Sequence, residues 1–151
     1  MKLVQLMVCV ITAAGMLAGC SSGLQVMQKP QPGEKLAIIM FDDCKLDQDC
    51  PGSGKKVSDF YSEALGAPVL MFAKDAANFD LLLTGNLTNY NEAVPMAFNP
   101  NVVGVDLKLN RIKDNSILIT QKKFATGSNV FSSTKGLSAD LANDLKSAMG
   151  R

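Results

Sequence analysis

Within residues 102–109, Val103, Val105, Leu107 and Leu109 are apolar, and Gly104, Asp106 and Lys108 separate them in strict alternation. A period of two is the pattern of a strand with one face packed and the other wet. Lys113-Asp114-Asn115-Ser116 reads as a turn, and Ser116 to Thr126 as the antiparallel return. A hairpin with one apolar face needs a second layer to cover it. Asp80 to Tyr90 supplies another strand that starts buried and becomes alternating, and Lys35 to Asp42 a short buried one. The covering layer is helical. From Lys55 to Leu65, Val57, Phe60, Tyr61, Ala64 and Leu65 share one face, with Ser53 as candidate N-cap and Gly66 as stop. From Ser138 to Met149 the stripe is Leu137, Leu141, Leu145, Ala148 and Met149, with Ser138 as cap and Gly150 as end. Val69 to Asn78 is ambiguous. Val69 to Phe72 fits a strand, but a short helix is favoured; as a strand it would not pair in parallel with the next one, because so few residues cannot hold a crossover. The expected fold class is α+β, an α/β sandwich: a mostly antiparallel sheet of about four to five strands packed by two or three helices.

Composition narrows the chemistry. The chain has 151 residues, 47% of them apolar and 19% charged, which fits one globular domain. Its formal charge of +1 leaves no basic footprint, so no nucleic-acid partner is expected. There is no histidine, which removes Ser-His-Asp triads, Cys-His dyads and HExxH zinc sites. Asp42 and Asp43 are adjacent carboxylates, yet neighbours on a strand face opposite ways. No GxSxG and no glycine-rich phosphate cradle is present. The expectation is no catalytic residue, no metal site and no enzyme activity.

The N-terminus reads as an address. Met1-Lys2 precedes an apolar run, Leu3 to Met16, too short for the ~20 residues a bilayer crossing needs. Leu17-Ala18-Gly19-Cys20 follows and resembles the lipobox of bacterial lipoproteins. That resemblance implies a signal peptide over 1–19 and cleavage before Cys20. Cys20 would carry diacylglycerol and an N-acyl chain, the only non-protein groups expected. Ser21 implies outer-membrane rather than inner-membrane retention. Residues 20–34, with Ser21, Ser22, Gly23, Pro30, Pro32 and Gly33, read as a lipidated flexible tether, and 35–151 as a single periplasmic domain.

Cys44 and Cys50 are then an even pair in an oxidising compartment and are expected to form a disulfide. A redox pair or a metal site are the alternatives, but the spacing is not CxxC and zinc would want a second ligand pair. Asp42, Asp43, Asp47 and Asp49 form a candidate acidic patch around these cysteines, either solvated or facing a basic partner. Val94, Met96 and Phe98 form an apolar loop segment, a candidate contact with a partner or membrane. Lys55-Lys56 and Lys122-Lys123 read as solvated faces.

Four stretches in order, KLAIIMFDD, FAKDAANFDLLLTGNLTNY, VVGVDLKLNRIKDNSILITQKK and LSADLANDL, resemble the curli-export (CsgG-like) lipoprotein superfamily, whose fold is related to the TolB N-terminal domain. The likeness is to small members of PelC or LpoB type. A tryptophan usual in that hairpin is Thr120 here, and no long amphipathic membrane hairpin is present. The resemblance implies assembly rather than catalysis: an oligomeric, ring-type accessory subunit of an envelope export or surface-assembly machine, with an outer-membrane or periplasmic export partner. The alternatives are a monomeric docking module that activates an envelope enzyme such as a cell-wall synthase, and a small ligand- or glycan-binding module.

Overall fold

The computed structural model describes residues 23–45, 50–92, 100–127 and 132–151. In chain order the elements are β1 (Leu24–Val26), β2 (Leu36–Ile39), α1 (Ser53–Leu65), β3 (Val69–Leu70), a 3-10 turn (Ala73–Ala76), β4 (Leu81–Asn91), β5 (Val102–Arg111), β6 (Ile117–Thr126) and α2 (Thr134–Met149). One sheet of six strands runs in the order β1-β6-β5-β4-β2-β3. The pairs β1–β6, β6–β5 and β5–β4 are antiparallel; β4–β2 and β2–β3 are parallel. Both α-helices pack on one face, giving the expected α+β sandwich. The sheet has six strands against the four to five expected: β3 is the strand alternative for Val69 to Phe72, and β1 is an addition.

The alternation in β5 sets the layers. Val103, Val105, Leu107 and Leu109 are all buried on the helix side, between Leu83 and Leu87 of β4 and Ile119 and Gln121 of β6. Val57, Tyr61 and Leu65 of α1 and Leu137, Leu141, Leu145 and Met149 of α2 close the core over them. The far face carries Thr84, Asn86, Asp106, Lys108, Thr120 and Lys122 and is largely open. The turn between β5 and β6 forms as its residues dictate. Ser116 N–H and Oγ donate to Asp114 Oδ1 at 3.0 and 2.6 Å, and Asn115 takes the left-handed φ of 55° that asparagine tolerates.

Among the described residues, Ser53, Ser58, Gln121, Thr134 and Ser138 are buried polar side chains, and Gln121 ties both helices to the sheet. Tyr61 Oη donates to Gln121 Oε1 at 2.9 Å, and Gln121 Nε2 donates to the Leu141 carbonyl at 2.7 Å. This relay joins α1 to β6 to α2. Burial pushes the Tyr61 phenol above its ordinary range, so it stays neutral. Leaving any of these buried groups without its partner costs about 1–3 kcal/mol.

Three local expectations are corrected. The Val69–Asn78 segment is not a helix: it is a two-residue strand followed by a single 3-10 turn. As a strand it pairs in parallel with β2, not with β4. Helix α2 starts at Thr134, and its cap is Ser133, whose side chain accepts from Gly136 N–H at 3.1 Å; Ser138 lies buried inside the helix and donates to the Thr134 carbonyl. Residues 23–34 are not a free tether. Leu24–Val26 adds a strand to the outer side of β6, in the register Leu24–Gln121, Gln25–Thr120 and Val26–Ile119. Gly23 makes that approach feasible: with φ of 63°, a Cβ there would strike the Lys122 carbonyl.

The rest of the strap is held electrostatically. Arg111 Nε donates to Glu34 Oε1 at 2.7 Å, Gln31 N–H donates to Glu34 Oε2 at 2.6 Å, and Arg151 donates to the Glu34 carbonyl. The Arg111 hydrogen bond holds the Glu34 carboxyl below its ordinary value. Because the folded value is depressed, this clamp contributes stability above the ordinary value of 4.5 and loses it as pH falls through the folded value. Urea unfolding from pH 7 to pH 3 should therefore show an acid-side loss of stability that is smaller in Glu34→Gln; equal slopes in the two proteins would remove the clamp from the stability of the fold.

Candidate functional site

The chemically distinctive residues gather at the carboxyl end of β2. Parallel strands place such ends beside the start of the next helix, where clefts form. Here Asp42 continues β2 into a single parallel bridge with Asn86 of β4. Asp43 turns the other way and caps α1 from outside the helix. Its Oδ1 accepts from Gly54 N–H at 2.7 Å and its Oδ2 from Gly52 N–H at 2.9 Å. The expected cap, Ser53, instead lies buried in the first turn, where its Oγ sits 3.5 Å from Asp43 Oδ1. A carboxylate at a helix N-terminus satisfies orphan amides and meets the positive end of the dipole. Gly54 is required there, since a Cβ would collide with the Phe41 carbonyl.

The cysteines close the same corner. Cys44 and Cys50 are joined by a disulfide, with Cα atoms 5.8 Å apart. Cys44 is buried under the end of β2, and Cys50 Sγ lies 3.4 Å from the Tyr90 carbonyl on β4. Phe41 N–H donates to Ser58 Oγ at 2.8 Å, and the Phe41 ring meets Tyr61 edge-on. Strand, bridge and helix start are thereby fixed to one another.

Of the candidate acidic patch, Asp42 and Asp43 are exposed neighbours with different roles: Asp43 is committed to the helix cap, and Asp42 lines a cleft. Asp47 and Asp49 lie outside the described residues, as do Cys20 and the Val94, Met96 and Phe98 segment. The cleft is about 370 Å³, open to solvent, and lined by Met40, Asp42, Asp43, Lys45, Thr84 and Asn86 among others. It offers carboxylate and amide oxygens and one ammonium, groups suited to hydrogen bonding a polar surface. Each Asp43 oxygen accepts one backbone N–H, from Gly52 and Gly54, which holds that carboxylate at the start of α1. No group of three or more Cys, Asp or Glu among the described residues is placed to hold a metal ion.

The paired lysines are less free than their sequence suggests. Lys55 reaches Asp59 along α1 at 2.7 Å, as a solvated pair. Lys56 reaches Glu92 just past β4 at 3.0 Å, and this contact holds the Glu92 carboxyl below its ordinary value. Lys122 lies 3.3 Å from Asp106 on the open face, and Lys123 lies 2.6 Å from Asp144 of α2. Sequence reasoning missed Asp43 as a cap, because its partners lie about ten positions away across a loop. It also missed Gln121, although the parity of Ile119 and Gln121 pointed to an inward position.

On the chain-entropy model, closing so short a loop contributes about 2 kcal/mol. Replacing Cys44 and Cys50 together by serine should lower unfolding free energy by that amount in urea titrations and shift no signal from the β5–β6 hairpin; an unchanged midpoint would show that the bridge does not stabilise the fold.

No family model and no curated protein matches the sequence. Solved structures do match the fold. A PelC dodecamer from Paraburkholderia phytofirmans superposes with a TM-score of 0.66 and 16% identity, over 83% of this chain and 95% of that one. A single-residue variant of that dodecamer gives 0.67, also at 16% identity, over 83% and 97%. The hypothetical protein CT253 from Chlamydia trachomatis gives 0.50 at 8% identity, over 78% and 99%. At these identities the likeness is one of fold: this chain has the architecture of the PelC subunit along nearly the whole length of that protein.

Proposed function

We propose that this chain is a lipid-anchored envelope protein that self-associates as a ring-type accessory subunit of an export or surface-assembly machine, on the periplasmic face of the outer membrane. The observation that carries this reading is the fold shared with a subunit that assembles as a dodecamer, covering 97% of that subunit. The lipobox-like Leu17-Ala18-Gly19-Cys20 and the CsgG-like motif order support it independently. Its work is binding and assembly rather than catalysis: the chain has no histidine, and its buried tyrosine is tied into the core.

The docked strap gives the anchor a geometric consequence. With acyl chains on Cys20, only Ser21 and Ser22 separate the lipid from Gly23, which is fixed against Lys122. Fully extended, that connection spans about 10 Å. Two or more acyl chains hold stably to a bilayer, each buried CH₂ contributing ~0.8 kcal/mol. The β1–β6 corner would therefore ride at the membrane surface. That disfavours a module reaching across the periplasm and fits one that works at the outer membrane.

The test uses the full chain expressed in a bacterial envelope and extracted in detergent. Tryptic peptide mass should give an acylated Cys20 as the N-terminus, and light scattering should give a discrete multimer of several subunits. A free N-terminus at another residue would overturn the anchor. A strict monomer at all concentrations would overturn the ring and leave the regulatory docking module.

A further inference from the structure

Among the described residues the sheet ends on β1 at one side and β3 at the other, and the two edges match. Strand β1 pairs with β6 through Gly23 and Met27: Lys122 N–H donates to the Gly23 carbonyl, and Met27 N–H donates to the Leu118 carbonyl at 2.9 Å. In an antiparallel ladder the residues between such pairs turn their amides and carbonyls outward. Leu24 and Val26 therefore present main-chain groups at the outer side of β1. At the other edge, Ile38 and Met40 N–H donate to the Pro68 and Leu70 carbonyls, both at 2.9 Å. By the same logic of alternation, Val69 and Met71 present theirs outward from β3.

Level, direction and side-chain chemistry agree as well. Val69, Ile38, Leu83, Leu109, Ile119 and Val26 form one row across the sheet, so its two ends are both valines. Strand β3 runs with β2 and β4, whereas β1 runs against β6, which itself runs with β4. A second copy in the same orientation thus brings its β1 antiparallel to β3, the pairing the sheet already uses on three of its steps. Val26 (45%), Met27 (53%), Met71 (59%) and Phe72 (58%) are exposed at these two edges, four of the seven large hydrophobics exposed among the described residues. No charged side chain points along either short strand to deter pairing, the usual protection of a sheet edge.

We propose that β1 of one copy adds to β3 of the next, antiparallel and with Val26 opposite Val69 and Leu24 opposite Met71, to form a head-to-tail interface. This rests on the reading of the chain as self-associating and names the surfaces that do it. Such an interface is heterologous, and it closes into a ring when the rotation per subunit closes. The sheet then runs on from subunit to subunit, main-chain hydrogen bonds joining copies as in strand addition.

The experiment compares the detergent-extracted full chain with Val26→Lys and Met71→Lys by analytical ultracentrifugation, after circular dichroism and melting show all three folded. Both positions are exposed, so the fold itself should tolerate the change. Each variant alone should sediment as a single subunit. An equimolar mixture should sediment as a dimer, because one variant keeps an intact β3 edge and the other an intact β1 edge. If wild type is a multimer and either variant keeps its size, or if either variant dimerises alone, the edge pairing is wrong and self-association stands. A monomeric wild type overturns both.

Discussion

Gln121 is a buried polar side chain on the helix-facing side of β6, and its two hydrogen bonds tie both helices to the sheet. Its amide has one acceptor turned to Tyr61 of α1 and one donor turned to the Leu141 carbonyl of α2. Apolar packing alone tolerates sliding of a helix over a sheet, whereas two directed hydrogen bonds do not. Both helices are therefore registered against β6 by the same side chain. Gln121 lies one strand in from the sheet edge, with Leu24 of β1 as its cross-strand neighbour. The strand that carries this contact thus depends on a three-residue strand for its outer neighbour.

That dependence links the strap to the proposed function. Without β1, the sheet would end on the ten-residue strand β6. With it, the sheet ends on a short strand whose outer groups match those of β3. The Glu34–Arg111 clamp and the Arg151 contact fasten the segment between β1 and β2 to the hairpin and to the C-terminus. The chain that would lead to a lipid anchor is part of the fold down to Gly23. The N-terminal segment from Gly23, the sheet edge and the core are then mechanically one unit, as the proposed assembly role requires.

The long elements were legible because their patterns are long. Val103 to Leu109 announced β5, the Asp114-Asn115 turn announced the hairpin, and the stripes through Val57, Tyr61 and Leu65 and through Leu137, Leu141 and Leu145 announced both helices. The edge strands are the hard part: Leu24–Val26 reads as tether, and Val69–Leu70 only as the less favoured alternative to a helix, since both are too short to show a period and their partners define them. Serine at a helix start misled twice. The α1 amides find Asp43 from beyond the loop, and α2 begins a turn earlier than its apolar stripe. The Cys44–Cys50 bridge followed from cysteine arithmetic, and the structure adds what it joins: the end of β2 to the start of α1. The two described members of the acidic patch divide by geometry, Asp43 as a cap and Asp42 as a cleft residue, a distinction that adjacent letters cannot carry.

Amide hydrogen exchange on the intact chain tests most directly that the N-terminal segment is a strand of the sheet. Met27 and Lys122 both donate across the β1–β6 ladder. Their amides should be protected to a degree comparable with the neighbouring β5–β6 pairs. Exchange at Met27 at the rate of an unstructured peptide, with β5–β6 still protected, would detach the strap from the fold and restore a free tether.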